Sequence, residues 1–227
     1  IIMKKKEFNP EILIDNVFSI LTKIQSNPEK FENIFTELFE EDFQLQLNKI
    51  NQLKNGLLKG LIISVKDLFD VKGYKTRGGS KFLNPEICHK DAECISLIRT
   101  AGGLLIGHTN MTELAYSGLG INPHYGTPLN PIYKGAIPGG STSGGAVSIS
   151  LDISDITIGT DTGGSTRIPA AFTGITGFKP TQDVISRKGV LVLSSSLDSV
   201  GLMAKNVKLC RLGYEVMKNK TNIKKIN

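Results

Sequence analysis

Three residues of this chain have the types and surroundings of an amide-cleaving centre built without histidine: Lys66, Ser141 and Ser165. Lys66 ends an apolar run, Gly60-Leu-Ile-Ile-Ser-Val-Lys66-Asp67. Ser141 lies in Pro138-Gly-Gly-Ser141-Thr-Ser-Gly-Gly145, and Ser165 in Gly159-Thr-Asp-Thr-Gly-Gly-Ser165-Thr-Arg167-Ile-Pro169. Hydrolysing an amide needs a nucleophile, a base to take its proton, donors for the tetrahedral oxyanion and an acid for the leaving amine. Serine at its free pKa is a poor nucleophile, so a neighbour must activate it. Burial disfavours the charged form of lysine, so a lysine at the end of a buried strand can shed its proton. Ser–Lys pairs thus serve in place of Ser–His–Asp.

The backbone around Ser165 suits the same chemistry. Gly163 and Gly164 follow Ile156-Thr-Ile158, which reads as a strand, and precede Ser165–Phe172, which reads as a helix start. A strand–glycine turn–helix junction aims successive N–H groups at one spot. The N–H groups of Thr162, Gly163, Gly164 and Ser165 are the candidate oxyanion hole.

Other chemistries fit less well. Asp161-Thr162-Gly163 is the tripeptide of aspartic proteases, which need two aspartates sharing a proton; no second copy is present. The 139–145 loop lacks the endings of a P-loop or a dinucleotide fold. Cys88, Cys94 and Cys210 have no zinc spacing and suit a reducing, cytoplasmic compartment. Neither a metal nor a cofactor is expected. His108 and His124 are read as packing or loop residues.

These residues need elements to hold them. None of the 24 glycines precedes Gly56. Residues 1–55 read as a helical segment, with cap-plus-proline starts at Asn9-Pro10-Glu11 and Asn27-Pro28-Glu29. Phe31, Ile34, Phe35, Leu38 and Phe39 fall at helical spacing and predict one apolar stripe. Beyond residue 60, strands are predicted at 61–65, 103–107 and 156–159, and helices at 91–101, 143–151 and 207–217. That alternation is an α/β layout. No apolar run approaches a membrane span, and the start shows no signal-peptide pattern. The net charge of +6 comes mainly from the final stretch, with Lys218, Lys220, Lys224 and Lys225 in a basic tail at 218–227. No aromatic side chains interleave those lysines, so direct nucleic-acid binding is not expected.

The three blocks, in this order, resemble the amidase signature family, from about Gly56 to Met217. The resemblance implies a mixed central sheet flanked by helices, of which residues 56–217 form the N-terminal half; the family's domain continues for a similar length beyond. It implies Ser165 as the acylated nucleophile, Ser141 as a relay serine held by a cis peptide bond, and Lys66 as the terminal base. Arg167 matches the arginine of the family's Gly-Gly-Ser-x-Arg block, in a supporting role. The partner implied is a small-molecule amide. Thr109–Gly118 and Leu119–Pro128 look more like the stand-alone enzymes. The alternative is the glutamine-hydrolysing component of a tRNA-dependent amidotransferase, with its partner subunits, and a third reading is a non-enzymatic remnant. Homodimerisation is left open. The chain departs from the family pattern at Ile62, Ser195 and Leu202, where proline is usual, and at Asp183-Val184, where Gly-Arg is usual. Lost proline and glycine remove turn constraints.

Overall fold

The computed structural model describes residues 9–218, so the tail lysines Lys220, Lys224 and Lys225 lie outside the described residues. The first helix begins where the sequence marks it. The Asn9 side chain accepts from the Glu11 N–H at 2.9 Å, and Pro10 takes the first helical position, where a missing N–H costs nothing. Helix α1 (Pro10–Ser26) buries Leu13, Val17 and Ile20. The second Asn-Pro-Glu starts only a single turn, α2 (Pro28–Phe31).

The predicted helical stripe at Phe31–Phe39 is overturned. Asn33 turns the chain at φ 62°, and Phe35–Leu38 forms strand β1, antiparallel to β3 (Leu104–Thr109). The N-terminal segment is therefore not purely helical. Its two fully buried members, Ile34 and Phe39, flank the strand rather than line a helix. Backbone pairing with β3, extended by the Phe39 N–H to Ile106 O bond, outweighs a local period that five residues express only weakly. Helix α3 (Glu40–Gln52) follows, with Glu40, Glu41 and Asp42 in its first turn, where acidic groups favour the helix dipole.

The sheet has six strands in the order β1-β3-β2-β4-β6-β5. Strand β2 (Ile62–Lys66) runs parallel to β3 and to β4 (Ile156–Asp161). Strand β6 (Ser199–Ala204) is antiparallel to β4 and to β5 (Thr176–Phe178). The three predicted strands are present, each ending one or two residues later than predicted; β5 and β6 were not foreseen. Helix α4 (Glu93–Thr100), α5 (Ser143–Ser150) and α7 (Val207–Met217) fall where helices were predicted.

Alternation along the strands separates two faces. Ile98 of α4 and Ile63 of β2 both close on Gly103, and Gly213 of α7 lies against Ile156 and Leu202. Gln46 of α3 bonds both backbone groups of Leu105, at 2.9 and 2.8 Å. The opposite face carries α5 and α6 (Arg167–Phe172): Ser64 meets Ser148 at 3.1 Å, and Ala146, Ala170 and Met203 form a small cluster.

Two departures from the family pattern sit inside this frame. The Ile62 N–H donates to Asp155 at 2.8 Å, a bond proline has no hydrogen to make, and Leu202 is wholly buried in β6. Asp183 occupies a left-handed conformation, φ 63°, which aspartate tolerates better than most residues.

Candidate active site

Lys66 is the last residue of β2 and has no exposed surface. Its Nζ bonds Ser141 Oγ at 2.7 Å and Thr160 Oγ1 at 3.0 Å. Burial pushes its pKa down to about 7, against the pull of Asp161 and Asp198, which favour the charged form. An amine poised there divides its population between acid and base near neutrality.

Ser141 sits in the turn before α5. The peptide bond from Gly140 to Ser141 is cis, as the resemblance implied. The loop at 112–118 braces this turn from both sides. The Thr112 N–H donates to Ser141 O at 3.0 Å, and the Gly140 N–H to Gly118 O at 2.8 Å. Gly140 leaves no room for a side chain: a Cβ there would press on Gly120 N at 2.6 Å.

Ser165 follows β4 and the glycine turn and is almost wholly buried. Its carbonyl accepts from the Thr142 N–H at 3.2 Å, so the backbones of both serine segments are tied together. Gly164 has φ 139°, and a Cβ at Gly163 would meet nothing within 4 Å. The turn therefore opens onto free space at Gly163, where a carbonyl could approach its N–H groups, while a Cβ at Gly164 would lie 2.6 Å from Ile168. Thr162, at the head of the turn, donates its hydroxyl to Asp198 at 2.6 Å. Asp198 in turn accepts from the N–H groups of Leu193 and Ser194, at 2.9 and 3.0 Å.

Arg167 does not stand free over the site. Its Nη2 donates to Asp161 Oδ1 at 2.8 Å and its Nε to Oδ2 at 3.0 Å. The backbone N–H groups of Thr166 and Arg167 reach Oδ2 at 3.1 and 3.2 Å. Burial works to raise the Asp161 pKa, but the guanidinium and these N–H groups hold it below the usual carboxylate range. Thr160 and Asp161 are neighbours of the candidate site that the sequence reading missed. Thr160 had no role there, and Asp161 entered only through a protease tripeptide; their place at the strand end beside Lys66 was the available signal.

The remaining candidates stay apart. His108 packs edge-on against Phe39 and bonds Phe69 O at 3.1 Å; burial takes its pKa down to about 3. His124 pairs with Glu113 at 2.9 Å in the loops. Among the described residues no group of three His, Cys, Asp or Glu is placed to hold a metal, and no helix is long and apolar enough to cross a membrane.

Comparison with known proteins agrees with this geometry. The amidase family model matches residues 15–225. The A subunit of glutamyl-tRNA(Gln) amidotransferase from Methanococcus maripaludis strain C7 is 40% identical over 196 residues, 86% of this chain and 45% of the relative. The crystal structure of an amidase superposes with a TM-score of 0.82 at 35% identity, over 92% of this chain and 48% of that one. The peptide amidase of Stenotrophomonas maltophilia gives 0.82 at 27% identity, over 92% and 45%. The chain thus spans less than half the length of the relatives it matches, and the shared part includes all three blocks. With two serines and a buried lysine on a mixed sheet of this topology, the chain belongs to the amidase family.

Proposed function

We propose that the protein containing this chain hydrolyses the C–N bond of a carboxamide through an acyl-enzyme on Ser165. The observation that carries the reading is the buried Lys66 Nζ at 2.7 Å from Ser141 Oγ, with its pKa near 7. Neutral Lys66 takes the proton of Ser141, which takes that of Ser165. Ser165 Oγ attacks the carbonyl carbon, and the N–H groups of Thr162 to Ser165 receive the oxyanion. Ser141 returns a proton to the departing nitrogen, the C–N bond breaks, and ammonia or an amine leaves. Water then attacks the ester by the same relay and releases the acid.

The 109–128 text favours a stand-alone enzyme on a small carboxamide. A second reading, the glutamine-hydrolysing component of a tRNA-dependent amidotransferase working with partner subunits, draws on the name of the M. maripaludis relative.

The test is Ser165→Ala in the full-length protein, treated with a fluorophosphonate and analysed by peptide mass spectrometry. Labelling is expected at Ser165 in the wild type and nowhere in the variant. A label on another serine, or one that persists in the variant, would remove Ser165 as nucleophile. Ammonia release from glutamine that requires added candidate partner subunits supports the second reading; release from simple carboxamides without them supports the first.

A further inference from the structure

Lys66 is surrounded by unequal carboxylates. Asp161 at the end of β4 and Asp198 ahead of β6 both favour its charged form. Asp67, its chain neighbour, turns to the Arg77 N–H at 3.1 Å and stands 3.6 Å from His108 of β3. Helix α5, which packs over the lysine's face, carries no charged residue. Asp198 is met by neutral donors: the Thr162 hydroxyl and two backbone N–H groups. Asp161 is different. It directly follows Thr160, the lysine's second hydroxyl partner. Its side chain is fully buried, and its partner Arg167 is a cation that binds it through two nitrogens.

We propose that Arg167 is a positioning residue acting through Asp161: its guanidinium offsets the carboxylate that directly follows Thr160, the lysine's second hydroxyl partner, and so weakens that carboxylate's hold on the Lys66 proton. The inference rests on the reading of Lys66 as the base. A role in holding substrate fits the geometry less well, because Nε and Nη2 are already committed to Asp161, although the side chain is about half exposed. An interaction with a buried carboxylate, no longer offset by a guanidinium, is enough to move a lysine titration by about one pH unit.

The experiment compares Arg167→Gln, Arg167→Lys and Asp161→Asn in the full-length protein. Two quantities are followed: the titration of Lys66, by NMR of ¹³Cε-labelled lysine assigned with Lys66→Arg, and the pH profile of acylation by an activated ester. Arg167→Gln is expected to move both the Lys66 titration and the acid limb of acylation alkaline by about one unit. Arg167→Lys keeps a positive charge and returns both towards wild type. Asp161→Asn moves both acidic. The Asn variant tests the same charge from its other side, so the proposal stays testable if Arg167→Gln does not fold. Arg167→Gln activity falling equally at all pH values, with the Lys66 titration unmoved, overturns the proposal and leaves Arg167 as a clamp on the turn. A Lys66 titration that moves as expected while the acylation limb does not supports the charge arrangement and overturns Lys66 as the base.

Discussion

The two faces of the same strands are built from different materials. Towards α4 and α7 the sheet presents Ile63, Ile156 and Leu202; α4 buries Ile95 and Ile98 there, and α7 comes in through Cys210, Gly213 and Met217. Towards α5 and α6 it presents Ser64, Lys66, Thr157, Gly159 and Gly201. There the helices approach through glycine, alanine and serine, and a Cβ on Gly145 would lie 2.7 Å from Thr157. Ser64, Ser148, Ser154 and Thr157 share hydroxyl hydrogen bonds beneath the lysine. The first face supplies stability through apolar burial. The second trades some of it for close approach and for one buried amine, whose neutral form is what the proposed chemistry uses. Stability and site are therefore separable by substitution on alternate residues of one strand.

The largest effect expected from that contrast is at Lys66. Below about pH 7 the folded protein carries a buried ammonium whose unfolded counterpart is freely solvated. The unfolded state binds more protons between about pH 7 and the ordinary lysine value of 10.5, so this group's contribution to stability rises with pH across that window. Lys66→Met should abolish that slope and raise stability at pH 6 by up to about 5 kcal/mol, less the two hydrogen bonds lost. It should also lower acylation by about 10²–10⁴-fold. Urea melts at pH 6 and pH 9, with single-turnover acylation, measure both. A Met variant less stable than wild type at pH 6 would show that the lysine is not held against its hydration.

The aliphatic face should respond in the opposite sense. Ile63→Ala removes a fully buried side chain that closes on Gly103 and should cost about 2–5 kcal/mol. Below its lowered melting temperature, the pH profile of acylation should keep its shape. On the polar face, Gly144→Ala adds only a methyl group, yet that carbon would press on the Ile34 carbonyl oxygen and the Asn110 backbone. Overpacking of this kind costs about 1–3 kcal/mol, and here it should shift α5 with Ser141 and slow acylation. Calorimetry and acylation kinetics separate the cases. If Ile63→Ala changes the profile while Gly144→Ala leaves it alone, the division between the faces is wrong.

The same contrast explains what the sequence disclosed. Lys66, Ser141 and Ser165 stood out as candidates because the proposed chemistry demands their residue types, with glycines and small residues around them. The aliphatic strands β2, β3 and the start of β4 were legible for their apolar runs. Thr160 and Asp161 were not, because their roles depend on where a strand ends relative to its neighbour. Strand β6 was hidden by Gly201, a poor strand former, whose missing side chain makes room for Thr166: a Cβ would lie 2.7 Å from its Oγ1. Strand β1 was hidden by an apolar spacing that also suits a helix, and only its pairing with β3 decides between them.

The smallest expected effect lies off both faces, at Asp183. Its left-handed backbone, φ 63°, is the conformation glycine adopts without cost. Asp183→Gly relieves that strain but loses the exposed pair with Arg187, at 2.9 Å, worth about 0–1 kcal/mol, and loosens the unfolded chain. These terms oppose one another, so stability should change by about 0.5 kcal/mol or less, a shift of about 1–2 °C in Tm. The substitution also probes a route into the polar face. Arg187 bonds Ser195 O at 2.8 Å, and the same loop carries Asp198, which holds Thr162 at the head of the serine turn. Unchanged acylation in Asp183→Gly would show that this loop is set by Asp198 alone. A clear loss of acylation with an unchanged Tm would show that the Asp183–Arg187 pair belongs to the machinery that fixes the turn, and would extend the polar face beyond the sheet.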